Sequence, residues 1–106
     1  MNPVTTATEL EHPTREQLDL TAVLHALSDP VRLKMVRYLA EAPDELSCRS
    51  FDVPVTKSTC THHFKVLREA GIIRQRQEGT SRLNTLREED LDARFPGLLR
   101  TILSAA

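Results

Sequence analysis

The chain has 106 residues, 40% of them apolar and 27% charged, with a net charge of −1. That length suits one domain with a modest core, which association with a second copy would enlarge. No apolar run approaches the roughly 18 residues that cross a membrane and no signal peptide is visible, so the expectation is a cytoplasmic protein without a membrane partner.

Residues 1–14 lack an apolar period and contain two prolines, Pro3 and Pro13, which predicts a flexible N-terminal arm ahead of one domain over 15–106. Thr14 followed by Gln17 has the spacing of a capping box. Leu18, Leu20, Val23, Leu24 and Leu27 then keep a helical period, which predicts a first helix over 15–27. Asp29-Pro30 caps and opens a second helix, with Val31, Met35, Val36 and Leu39 on one face and an end near Ala42-Pro43. Between 44 and 55, Pro54 forbids a long helix, and one short helical turn is expected over 47–51.

A third long helix is predicted from Thr56 or Lys57 through Ala70. Cys60, Phe64, Leu67 and Gly71 mark its buried stripe, and Ser58, Thr61, His62, Lys65, Arg68 and Glu69 its wet face. Residues 72–77 and 81–87 read as two short strands around the three-residue loop Glu78-Gly79-Thr80. Glu88-Glu89-Asp90 places acid in the first turn of a last helix, which Pro96 divides, opening its second piece. The chain is thus mainly α with a small β-hairpin, in the order α-α-α-α-β-β-α.

Charge is distributed unevenly along this order. Between Lys57 and Arg87 stand seven basic side chains (Lys57, Lys65, Arg68, Arg74, Arg76, Arg82, Arg87) and two acidic ones, Glu69 and Glu78. A basic block inside an otherwise acidic chain marks a face that binds polyanions. A polar-faced helix followed directly by an arginine-bearing hairpin fits double-stranded DNA. The helix enters the major groove, where base edges are distinguishable, and the hairpin lies against the backbone. This is the plan of a winged helix-turn-helix. Lys57, Ser58, Thr59, Thr61, His62, Lys65 and Arg68 are its candidate DNA-contacting residues on the recognition helix, with Ser58, Thr61 and His62 short enough to read bases. Arg74, Arg76 and Arg82 are the candidates on the wing. A protein-interaction module of the same shape would have no use for the positive charge. No glycine-rich phosphate loop, nucleophile–base pair or usefully spaced carboxylate pair points to an enzyme.

Ala26-Leu27-Ser28-Asp29-Pro30-Val31-Arg32-Leu33 and the run from Lys57 to Ile73, above all Thr61 to Gly71, resemble the ArsR/SmtB family of bacterial repressors. The resemblance covers about Leu18 to Leu103. It implies a dimer that leaves its operator when an inducer binds, with the first and last helices as the dimer interface. Leu18, Phe95, Leu98, Leu99, Ile102 and Leu103 are the candidates for that interface, and the last helix carries more apolar side chains than a short terminal helix can bury alone. The chain departs from the family's metal sensors. Where those carry two cysteines one residue apart, Ser47 and Arg49 flank a single Cys48, and no histidine follows His63. Neither inherited metal site is complete, so no metal or cofactor is assigned and the inducer is left unknown. Cys60 lies on the buried stripe and reads as a small core residue. Cys48 is a candidate redox residue, alone or with Cys60, and a weak metal site with His62 is the other alternative. His63 flanks the core and reads as structural.

Overall fold

The computed structural model describes residues 10–42, 45–47 and 56–106, without the side chain of Lys57. A 3-10 turn over Arg15–Gln17 precedes α1 (Leu20–Leu27), α2 (Pro30–Glu41), β1 (Leu46–Ser47), α3 (Lys57–Glu69), β2 (Ile73–Glu78), β3 (Ser81–Leu86), α4 (Glu88–Arg94) and α5 (Leu98–Ala105). Helices dominate, and an antiparallel hairpin follows the third of them; this is a winged helix-turn-helix fold.

The expected first helix is two pieces. Gln17 accepts from the Thr14 amide at 2.9 Å, as its capping spacing suggests. Leu18 is nevertheless extended and Asp19 starts α1 afresh, its carboxylate accepting from the Ala22 amide at 3.0 Å. A second good cap five residues after the first competes with a continuous helix. Asp29 does the same for α2, accepting from the amides of Val31 and Arg32 at 2.9 and 3.0 Å, with Pro30 in the first turn. Two residues of the expected arm make hydrogen bonds to the wing and its end. The Gln75 amide donates to His12 Nε2 at 2.9 Å, and Arg87 donates to the Pro13 carbonyl at 2.7 Å. His12 thus lies on the edge of β2, and residues 1–9 lie outside the described set.

The sheet has three strands in the order β1-β3-β2, all antiparallel. The short β1 is a correction. Ser47 pairs with Leu83 as a strand residue rather than opening a helical turn, and the rest of that expected turn lies outside the described residues. The wing is also tighter than expected: Glu78 pairs with Ser81, leaving Gly79-Thr80 as a two-residue loop with Gly79 at φ +61°. Loops of that length favour positive φ, which glycine takes without strain.

The core lies where α1, α2 and α3 meet and close over β2. Met35, Val36, Leu67, Ile72 and Ile73 are fully buried there, with Leu91 of α4 sealing one side. At the end of α3, Gly71 adopts φ +83°, the Ile72 amide donates to Leu67 and the Gly71 amide to Arg68. This is a Schellman cap, and it aims the chain from helix into sheet. Near the far terminus the divided helix is as expected, but Gly97 at φ +78°, not Pro96, precedes α5.

Candidate nucleic-acid interface

Thr56 begins the recognition helix. Its hydroxyl oxygen accepts from the Thr59 amide at 3.2 Å and lies 3.3 Å from the Ser58 hydroxyl. It also donates to the Thr59 hydroxyl at 2.9 Å. Cys60, His63, Phe64, Leu67 and Ala70 are buried inward from this start. Ser58, Thr59, Thr61, His62, Lys65 and Glu69 are exposed. The polar face predicted from the helical period is thus presented to solvent, with its short side chains near the N-terminal end, the positive end of the helix dipole.

Arg68 is not on that face. It is half-buried, and its Nη1 donates to Gln75 Oε1 at 2.8 Å, stitching α3 to β2. One residue after buried Leu67 and one turn after buried Phe64, it sits at the flank where the sheet passes within reach.

The wing arginines divide by the pleat of the sheet. Side chains alternate faces along a strand, and directly paired residues share a face. Gln75 pairs with Asn84 and Gln77 with Arg82, so Arg82 stands on the face that packs against α3, near the hairpin tip. It is exposed, makes no ion pair among the described residues, and donates to Gln77 Oε1 at 3.0 Å. Arg74 and Arg76 stand on the opposite face, each facing carboxylates. Arg76 holds Glu45 with two hydrogen bonds of 2.8 and 2.9 Å and Glu78 with a third of 3.0 Å. Those partners, Glu45 first, raise the Arg76 pKa above the ordinary arginine value. Arg74 lies 3.8 Å from Asp90, while Arg87 is buried against Asp90 and the Pro13 carbonyl. Glu45 and Asp90 fall outside the basic window of the sequence, and folding brings them into it. Among the described side chains, the cations on the α3 side without a carboxylate are Lys65, Arg68 and Arg82, and of these Lys65 and Arg82 are exposed.

Leu18, assigned to the dimer interface, is 2% exposed and belongs to this chain's own core. The apolar side chains that α1 shows to solvent are Leu20 and Leu24, each 43% exposed. The remaining interface candidates are all half-buried, Phe95, Leu99, Ile102 and Leu103 resting against the core with an outer side uncovered. Cys60 is buried and Cys48 lies outside the described residues. Among the described residues no three His, Cys, Asp or Glu side chains converge as a metal site would require, and no helix is long and apolar enough to cross a membrane.

Residues 27–76 match the model of a family described as a helix-turn-helix domain. The chain is 37% identical over 82 residues to YceK of Bacillus subtilis, an uncharacterised HTH-type transcriptional regulator, spanning 76% of this chain and 82% of that one. It is 36% identical over 59 residues to MJ1325 of Methanocaldococcus jannaschii, of the same description, spanning 55% and 66%. Among solved structures, the transcriptional repressor BigR from Xylella fastidiosa superposes with a TM-score of 0.63 at 27% identity, covering 81% of this chain and 84% of that one.

Proposed function

The chain belongs to the HTH-type transcriptional regulators, which bind DNA and are not enzymes, and from that premise we propose that it is a cytoplasmic homodimeric repressor of the ArsR/SmtB plan, bound to a palindromic operator. The observation that carries this reading is the shared orientation of two solvent-facing surfaces. The polar face of α3 and Arg82 of the wing, which has no carboxylate partner among the described residues, stand on one side of the same sheet. Ser58, Thr59, Thr61 and His62 read base edges in the major groove, while Lys57, Lys65 and Arg82 hold phosphates. The likeness to a repressor supports the sign of regulation. Leu20 and Leu24 of α1 and the uncovered side of α5 form the dimer face. The inducer acts elsewhere than at the family's metal sites, for which the sequence lacks the ligands.

The test is selection of bound duplexes from a random pool, followed by footprinting. The expected product is an inverted repeat whose half-sites lie one helical turn apart, roughly 10–10.5 bp. Absence of any enriched sequence, or an asymmetric single site, overturns the proposal.

A further inference from the structure

The three helices of the core meet at a buried polar contact that the DNA-facing surface does not use. Arg32 of α2 and His63 of α3 are 9% and 8% exposed. Arg32 Nη1 lies 3.2 Å from His63 Nδ1, its Nε donates to the Ala26 carbonyl at 2.6 Å, and its Nη2 reaches the His25 carbonyl at 3.5 Å. One guanidinium thus ties the end of α1 and the start of α2 to the middle of α3. A guanidinium stays charged and only donates. His63 Nδ1 therefore accepts, and the neutral ring carries its single proton on Nε2.

Among the described residues, Asp29, Arg32 and His62 are the charged or titratable groups that act on this ring. Asp29, the cap of α2, attracts a positive imidazole but already accepts two amide bonds; Arg32 from the same helix and His62 from α3 repel it. What α1 brings to Arg32 is two carbonyls. Burial, the largest influence, holds the His63 pKa below the ordinary histidine value. A proton added at Nδ1 would leave two cations in hydrogen-bonding range with the acceptor between them gone. One of them would have to leave the junction, and α3 would lose its tie to α1 and α2 beside Thr61 and His62.

We propose that Arg32 and His63 are a positioning pair that seats the recognition helix only while His63 is neutral, so that acidification loosens the junction and weakens DNA binding. The proposal rests on the reading of α3 as the DNA-contacting helix. Its sign is diagnostic. A cation added on the exposed DNA-facing surface tightens binding, whereas charging buried His63 loosens it. The stability that neutral His63 contributes is fully present above its unfolded value near 6.5 and is lost as the pH falls through the lower folded value.

The experiment compares the full chain with its His63→Asn variant from pH 8 to pH 5 at constant ionic strength. Asparagine offers Arg32 an amide oxygen near the place of Nδ1 and does not titrate in this range. Thermal melting and affinity for a selected duplex are both measured, and the parent's own His63 ring is titrated by NMR. The ratio of parent to variant Kd is expected to rise roughly threefold to tenfold between pH 7.5 and 5.5, with a larger acid loss of Tm in the parent than in the variant. Parallel pH curves for the two proteins, or a His63 ring titrating at or above 6.5, overturn the proposal. The ring titration decides the matter if the variant does not fold. If neither protein binds a duplex at any pH, the DNA-contacting role of α3 fails, and the melting and NMR arms still decide whether the pair exists.

Discussion

At the scale of single residues, two glycines with positive φ carry very different loads. A Cβ on Gly71 would overlap Leu18 and press on Pro13, while one on Gly79 meets nothing within 4 Å. Gly71→Ala is expected to cost about 2–4 kcal/mol, from a strained φ and a lost core contact together, and Gly79→Ala about 1 kcal/mol from strain alone. Thermal melting checks this, since roughly 4–8 °C of Tm accompanies each kcal/mol in a domain this small. Two arginines of the wing make a matching contrast. Arg82 has no carboxylate among the described residues, whereas Arg76 is held by Glu45 and Glu78. Each phosphate neutralised adds about −0.9 to the slope of log K against log salt. Arg82→Ala is therefore expected to flatten that slope by about 0.9 per subunit, and Arg76→Ala to leave it nearly unchanged. The reverse ranking in a salt titration would contradict the division of the wing by its pleat.

At the scale of elements, the helices depend on short side-chain caps. Asp29 satisfies two amides at the start of α2, and Asp29→Ala is expected to cost about 1 kcal/mol by urea unfolding. The same group brings a pH dependence. Its hydrogen bond from the Arg32 amide first of all lowers its pKa below the ordinary 3.8. Asp90 is lowered likewise, chiefly by the hydrogen bond from Arg15 and then that from Arg87. A lowered carboxylate contributes stability that is complete above its unfolded value and is lost as pH falls through the folded one. Unfolding in acid is thus expected to steepen below about pH 4, and the Asp29→Ala protein to show a shallower loss across that window. A melting curve for the variant that drops as steeply as the parent's would count against this role of the cap.

At the scale of the whole molecule, a chain this small leaves apolar surface that it cannot cover. Leu20 and Leu24 on α1 and the outer side of α5 lie open, while Leu18 is already used within the core. Sedimentation at micromolar concentration is expected to show twice the chain mass. Leu24→Glu should give monomers with an almost unchanged monomer fold and no operator binding, whereas Leu18→Glu should unfold the chain. A monomeric parent would refute the dimer. Among the described residues few exposed cations on the α3 side lack a carboxylate, so a limited grip on DNA is expected. A dimer making roughly 4–6 phosphate contacts should lose about 10²–10³ in affinity between 50 and 200 mM salt, less than the whole basic window would imply. Stoichiometric zinc or arsenite is expected to leave the complex intact, as a gel-shift titration would show.

The sequence by itself determined the elements whose signals are local. The caps at Asp29 and Thr56, the buried stripe of Cys60, Phe64 and Leu67, the glycine that ends α3 and the hairpin after it all follow from propensity and period over a few residues. The exposed face of α3, and with it the helix-turn-helix reading, follows from the same period. Only the tertiary structure decided which of the basic residues remain available. Glu45 reaches Arg76 across 31 positions, and Asp90 reaches Arg74 from the helix after the wing. A charge count over a window cannot contain partners that lie outside it. The same holds for β1, too short to carry an alternating pattern and formed only because β3 offers an edge, and for Leu18, whose period assigns it to a helix face but not to which neighbour covers it. Periodicity says that a side chain is hidden; packing chooses whether this chain or a second one hides it, because both surfaces have the same chemistry and only distance separates them.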